Sequence, residues 1–311
     1  IILIQQGGID MLKDLCFEII ETCLNNCMFC SSNSNCNKTQ IIKFGDFKRT
    51  IDYFMSNGGI EELSLSGGEP FLHPELIKMV EYSKSLGIRT VIFTSGVTNN
   101  IGTSQAEKTK ILDDMNKRLQ EINEKEPDND YLKQKVISFY TQLLNPSNFV
   151  PISKELLLEL QRIGLDKIVF DYQAYEYETD HTLMGRKEES RISLLKSLIT
   201  ASLIVSEVDV HFVPMKLNYK EIGDILEMLE IAEVKNISIL NFIPQGRGKI
   251  NQNDLQLSDE ELKEFFELLE KHKQNYSGNI RIGIPLQGEN THKCTAGLEK
   301  LDIKFDGTVL P

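Results

Sequence analysis

The sequence predicts an α/β protein built on a mostly parallel sheet. Short β-branched, apolar runs alternate with helical stretches, and the helical stretches repeat their apolar positions at helical spacing. Six such strand–helix units follow one another up to residue 241. Residues 15–20 (LCFEII) read as the first strand and 47–56 as the first helix. Residues 63–66 are a short strand broken by Gly67 and Gly68. Residues 74–86 are a helix with apolar Leu76, Ile77, Met79 and Val80. Residues 89–93 (RTVIF) are a strand ended by Thr94, Ser95 and Gly96. Later strands fall at 167–170, 208–212 and 236–240, with helices near 153–162, 188–202 and 221–231. Right-handed crossovers gather the C-terminal ends of the strands on one rim. An open sheet and a curved partial barrel both satisfy this pattern.

Two stretches depart from the rhythm. Residues 101–147 are rich in Lys, Glu, Asp and Asn. Ile111, Met115, Leu119 and Ile122 recur at helical spacing there, and a second helix follows from Asp130, ended by Asn145 and Pro146. This predicts a helical insert, either a solvated decoration or a lid. After the sixth strand, residues 257–272 form a helix with Ser258 as N-cap and Glu261 at the capping-box position. A short strand follows at 281–285. Residues 301–305 followed by Asp306-Gly307 open a hairpin. The expected division is a core over 1–245 and a small α+β appendage over 246–311.

Of the 311 residues, 41% are hydrophobic, enough for a sizeable core, and the net charge of -12 disfavours a groove that tracks phosphates. Nucleic acid is therefore an unexpected partner. No apolar run has the length of a membrane span, and no secretory or transit leader is evident, so a soluble cytoplasmic protein is expected. The chain starts at Ile1, so a natural N-terminus upstream is expected as well.

The cysteines narrow the chemistry. Five of the six lie at Cys16, Cys23, Cys27, Cys30 and Cys36, and the sixth is Cys294. A disulfide scaffold would spread them through a smaller chain, whereas a local cluster reads as a metal site. Cys23, Cys27 and Cys30 give CxxxCxxC just after the first strand. Three thiolates can hold three irons of a cubane and leave the fourth open. A structural zinc closed by Cys36 is the alternative.

This segment resembles the cluster loop of the radical S-adenosylmethionine (SAM) superfamily. Ser66-Gly67-Gly68-Glu69-Pro70, at the end of the second strand and about 40 residues on, matches that superfamily's GGEP motif. The resemblance implies a partial (β/α)6 TIM-like barrel and a [4Fe-4S] cluster on Cys23, Cys27 and Cys30, whose open iron chelates SAM. Phe29 matches the aromatic beside the adenine. Gly67, Gly68, Glu69 and Pro70 match the element at the SAM amino group, where a Gly pair permits close backbone approach and a carboxylate suits an ammonium. By position, Thr94 and Ser95 correspond to contacts with the SAM ribose and carboxylate, although a simple strand-to-loop turn reads equally well. Phe170-Asp171-Tyr172-Gln173 stands where the family has SLDG, without the glycine. Arg186, after His181 and Gly185, matches a partner for the SAM carboxylate or else a surface residue at a helix entry. By position, Asn218 corresponds to an Asn or Ser that relatives place around SAM. Gln245, in Pro244-Gln245-Gly246-Arg247-Gly248, matches the segment beside the adenine. His73 reads as a helix-start residue.

Cys294, with Gly307 beyond it, resembles the opening of a SPASM or twitch domain. A further cysteine would then fall just past Pro311, so a longer natural chain with one or two auxiliary iron-sulfur clusters is expected. The resemblance implies an enzyme supplied with electrons by a flavodoxin or ferredoxin. It would cleave SAM to a 5'-deoxyadenosyl radical that takes a hydrogen from substrate. A peptide or protein side chain, crosslinked or oxidised, is the first expectation. A small molecule such as a sugar, nucleotide or cofactor precursor is the second, and a non-catalytic iron-sulfur scaffold is a minor third.

Overall fold

The structure, a computed structural model, describes residues 11–99, 105–127, 129–144, 149–284 and 295–311. Its first unit holds β1 (Leu12–Ile20), α1 (Phe44–Ser56), β2 (Ile60–Gly67), α2 (Leu76–Ser85) and β3 (Arg89–Thr94). β4 (Val97–Asn99) leads out of it, into a second unit over 98–150 with α3 (Gln105–Lys125) and α4 (Asp130–Leu144). β5 (Phe149–Pro151) leads back and pairs with β4. The first unit resumes with α5 (Lys154–Arg162), β6 (Lys167–Asp171), α6 (Tyr177–Met184), α7 (Glu188–Ile204), β7 (Val208–Phe212), α8 (Ile222–Ile231) and β8 (Asn236–Leu240). It ends with the short α9 (Arg247–Ile250) and α10 (Gln252–Leu255), α11 (Asp259–His272), β9 (Asn279–Gly283), β10 (Lys300–Ile303) and β11 (Val309–Leu310).

The six expected strands are β1, β2, β3, β6, β7 and β8, parallel neighbours in that order. β9 adds in parallel beside β8, β10 adds in parallel beside β1, and β11 pairs antiparallel with β10. Strands from both sides of residue 245 thus share one sheet. The β10–β11 hairpin forms at Asp306-Gly307, and the Ser258/Glu261 capping box starts α11.

Alternation along the strands sorts the two faces. Leu15, Phe17, Leu63, Leu65, Ile168, Phe170, Val210, Phe212 and Ile239 are almost fully buried. The helices cover this face. Phe17 stacks on Phe47 of α1 at 5.5 Å, and Phe212 meets Phe265 of α11 at 6.2 Å. The intervening residues Cys16, Glu18, Ser66, Val169, Asp171 and His211 line one cavity of about 330 Å³. In a flat sheet β1 and β7, four positions apart, would stand about 19 Å from each other. Their shared cavity therefore needs a curved sheet, the partial barrel.

In the second unit, Met115, Leu119 and Ile122 of α3 are half-buried among exposed neighbours, as the helical spacing requires. Tyr140 of α4 donates its hydroxyl to Asp114 of α3. Among the described residues, no helix is long and apolar enough to cross a membrane.

Candidate active site

The cavity opens at the C-terminal rim of the strands, and the loop after β1 brings Cys23, Cys27 and Cys30 into its wall. The loop is held from three directions. First, Gly68 N donates to Ile20 O at 2.6 Å and Glu69 N to Thr22 O at 2.8 Å. Gly67 has φ +128°, and a Cβ on Gly68 would lie 2.0 Å from Thr22 O. The Gly pair is thus needed for an approach to the protein's own backbone at the root of the cysteine loop. Second, Asn26 N and Met28 N donate to Met184 O and Leu183 O at the end of α6. Third, Arg247 reaches back from α9. Its backbone N–H donates to Cys30 O, its Nε to Cys27 O at 2.7 Å and its Nη2 to Ser34 O at 2.8 Å. Gly246, at φ +52°, lets this segment press against Cys30 and Ser31, where a Cβ would lie 2.3 Å from Ser31 O.

Glu69 stands behind the wall. It is fully buried and its carboxylate is already shared out. Oε1 accepts from Phe71 N and Thr94 Oγ1, and Oε2 from Ser95 N and Ser95 Oγ at 2.8 and 2.6 Å. Its partners in the structure are therefore protein donors that tie the end of β2 to the end of β3. Burial raises its pKa, and these hydrogen bonds oppose the rise. Pro70 starts the short 3-10 turn that follows. His73 accepts from Glu75 N through Nδ1 and meets Ile42 O through Nε2, so it is spent on packing.

Phe29, Gly67, Gly68, Thr94 and Ser95 share the cavity wall with the three cysteines. Arg186, Asn218 and Gln245 do not. Arg186 is only 1% exposed, against its reading as a surface residue. Its guanidinium pairs with Asp180 at 3.0 Å and donates to Ser95 O and Asp171 O, riveting α6 to the ends of β3 and β6. Asn218 is buried and saturated. Its Oδ1 accepts from Met215 N, and its Nδ2 donates to Gln173 O and Val213 O. Gln245 is exposed. Cys294 lies outside the described residues. Where the SLDG glycine is missing, Tyr172 turns into the core, and Gln173 ties the ends of β6 and β7 through His211 O and Val213 N.

Asp171, His211, Glu18, Cys16 and Asp302 also line the cavity. Strand alternation is the signal for these residues, since each breaks an apolar run at an inward position. Burial pushes Asp171 up and His211 down to about 4. It also pushes Cys23 up to about 12 and Cys27 well above its usual range, with the neighbouring cysteines contributing. Among the described residues, no three His, Cys, Asp or Glu converge as they would on one ion. A cubane makes a different demand, because its thiolates bind separate irons.

The model of the radical SAM superfamily matches residues 17–137. The chain carries a radical SAM superfamily domain. Its sequence is 24% identical over 267 residues to the probable GTP 3',8-cyclase of Saccharolobus islandicus (strain M.14.25 / Kamchatka #1), covering 85% of this chain and 67% of that protein. The fold is similar to Streptococcus suis SuiB bound to S-adenosylmethionine, at a TM-score of 0.64 and 14% identity. That match covers 97% of this chain and 60% of SuiB, so the chain spans less than two thirds of that protein. It is also similar to native anSMEcpe with bound AdoMet, at a TM-score of 0.58 and 12% identity over 95% of this chain and 73% of that one. An iron-sulfur cluster and bound SAM are typical of the superfamily to which this domain belongs.

Proposed function

We propose that this radical SAM domain is the catalytic core of an oxidoreductase-like enzyme in which Cys23, Cys27 and Cys30 hold three irons of a [4Fe-4S] cluster. One observation carries the reading. The three thiols, the Gly67–Gly68 turn and the side-chain amide of Asn25 line one cavity, and that amide is buried with neither its N nor its O partnered. Such orphaned groups fit a ligand better than an empty wall. Thiolate donors suit iron. Burial keeps Cys23 and Cys27 protonated in the metal-free chain, so cluster assembly releases their protons. When bound, the reduced cluster supplies reductive cleavage of SAM to methionine and a 5'-deoxyadenosyl radical, which takes a hydrogen atom from substrate.

The residues of this chain position that chemistry. Phe29, Gly67, Gly68, Thr94 and Ser95 are the proposed SAM contacts, since all five face the cavity. Glu69 fixes Thr94 and Ser95, and Arg186 fixes Ser95 from the other side. Asn218 holds the loop after β7, and Arg247, two residues beyond Gln245, holds the cysteine loop. A flavodoxin or ferredoxin is the proposed electron donor, and an auxiliary cluster involving Cys294 belongs to the same proposal.

The favoured substrate is a peptide or protein side chain. The similarity to the probable GTP 3',8-cyclase of Saccharolobus favours a nucleotide as the second reading. The cavity wall weighs against a triphosphate. Among the described residues its carboxyls are Glu18, Asp171 and Asp302, and its one guanidinium, that of Arg247, is committed to backbone carbonyls.

Low-temperature EPR of the anaerobically reconstituted, dithionite-reduced protein tests the core of this reading. A [4Fe-4S]+ signal that changes on adding SAM is expected. A signal indifferent to SAM would return the scaffold reading, and tightly held zinc without a cluster would overturn the assignment.

A further inference from the structure

We infer that the cavity contains a substrate subsite for a cationic nitrogen, an ammonium or a guanidinium, formed by Glu18 of β1 and Asp302 of β10. This rests on the reading above and deepens it by naming the chemical class of the substrate.

The placement follows from strand geometry. Cys16 and Glu18 are two apart on β1 and face the cavity together, while Phe17 between them packs under α1. β10 lies beside β1 with Asp302 opposite Cys16, so the second carboxylate stands next to the first on one inner wall. Cys16 and Glu18 precede the cysteine loop along β1, and Asp302 is level with Cys16. The pair therefore lies below the rim, toward the barrel interior, with Cys16 and Asp302 about 7 Å deeper than Glu18.

The bonding is incomplete in a way that specifies a ligand. Glu18 is only 5% exposed. Its Oε1 accepts from Ser32 and lies 4.0 Å from Lys304 Nζ, but its Oε2 has no partner. Asp302 stands opposite Cys16, and its Oδ1 has no partner. Ser34, in the same wall and 2% exposed, also has a free hydroxyl. An ionised carboxylate only accepts hydrogen bonds, so whatever completes these oxygens must donate. The two acids share one counter-charge, Lys304, so one negative charge is left over, which a cationic donor satisfies and a neutral hydroxyl does not. The surrounding field has the same sign. Asp14 and Asp306 raise the cost of further negative charge here, and Lys304 offsets part of it at both carboxyls. Burial holds both Glu18 and Asp302 above the usual carboxylate range, with Lys304 opposing the rise in each.

The ammonium could come from the substrate or from SAM itself, and binding measurements separate the two. The probes are Nα-acetyl-lysine methylamide and its norleucine counterpart, which has the same length and no charge. Calorimetric titration into the reconstituted protein, with SAM present at saturation, should show the lysine probe binding at least tenfold more tightly than norleucine. Glu18→Gln should weaken the lysine probe about tenfold and Asp302→Asn several-fold, with the loss falling on the probe rather than on SAM. Equal binding of the two probes, or binding of neither, would overturn the subsite without reference to any variant. A loss confined to SAM affinity would overturn it too, by assigning the carboxylates to the SAM ammonium. Formation of 5'-deoxyadenosine by the same wild-type preparation is an independent readout. Its absence alongside intact lysine selectivity would sink the cofactor reading and leave the subsite standing.

Discussion

The two halves of the barrel rim are held together differently. At the ends of β1 and β2, main chain meets main chain. Gly67 and Gly68 lie so close to residues 20–22 that no side chain fits between. At the ends of β6, β7 and β8, side chains span the gaps. Gln173 and Asn218 tie the loop after β6 to that after β7, Arg186 ties α6 to β3 and β6, and Arg247 ties α9 to the cysteine loop. The first arrangement fixes the root of the loop that carries the thiols, and α6 and Arg247 hold the rest of it. The second places ionisable groups, Asp171 and His211, where a substrate would meet them. Backbone contact on one side and side-chain ties on the other thus frame one cavity, and ionisable groups line both sides: Glu18 and Asp302 on β1 and β10, Asp171 and His211 on β6 and β7.

The largest expected effect removes the purpose of the first half altogether. Cys27→Ala should reduce 5'-deoxyadenosine formation to background and abolish the iron-sulfur absorbance, because two thiolates do not retain the proposed cluster. Product formation undiminished in that variant would break the comparison, since the rigid half would then be holding nothing. The next effect tests the second half. Arg186→Met strips the counter-charge from buried Asp180 and should cost roughly 3–5 kcal/mol of unfolding free energy, read by urea denaturation. Gly68→Ala tests the first half by adding a single methyl. Its Cβ would sit 2.0 Å from Thr22 O, so the chain must shift, at about 3 kcal/mol, and iron content per chain should fall with it. If Gly68→Ala keeps full iron and stability, the backbone contact is not what holds the loop.

This asymmetry also explains what was legible in the sequence. The six core strands and their order follow from apolar runs and helical spacing, and Cys23, Cys27, Cys30 and Gly67–Pro70 announce themselves because their constraints are local. Glycine at 68 and cysteine at fixed intervals leave a mark that a short window can show. The ties of the second half leave none. Arg186 and Ser95 lie far apart in the chain, as do Arg247 and Cys27, and nothing local distinguishes an arginine that rivets from one that faces solvent. Glu69 was legible as a candidate site carboxylate but not as a saturated one, because its four donors come from the turn beyond it and from the end of β3. Asp171 and His211 were recoverable only by asking which face of a strand each occupies, and that depends on the curvature of the sheet.

The smallest effect comes from His211 and sharpens the comparison at the wall formed by β6 and β7. Burial, with help from the positive charges of Arg281 and Lys167, lowers its pKa from 6.5 to about 4. Between those values the unfolded chain binds the proton and the folded chain does not, so folding stability rises with pH there. The contribution is complete above pH 6.5 and is lost as pH falls toward about 4. Its slope cannot exceed about 1.4 kcal/mol per pH unit. The buried carboxyls Glu18, Glu69 and Asp171, raised by the same desolvation, act in the opposite sense, because the folded chain holds their protons longer as pH rises. The wild-type profile alone is therefore a composite. The difference between wild type and His211→Asn, in urea denaturation of the same preparations at pH 6.5 and 5.5, cancels those carboxyl terms to the extent that the substitution leaves them in place. It should show wild type losing about 1 kcal/mol more than the variant over that interval. Parallel profiles would mean that His211 meets solvent or a counter-charge when folded. The second half of the rim would then lack the dry, neutral imidazole that its geometry assigns to the cavity wall.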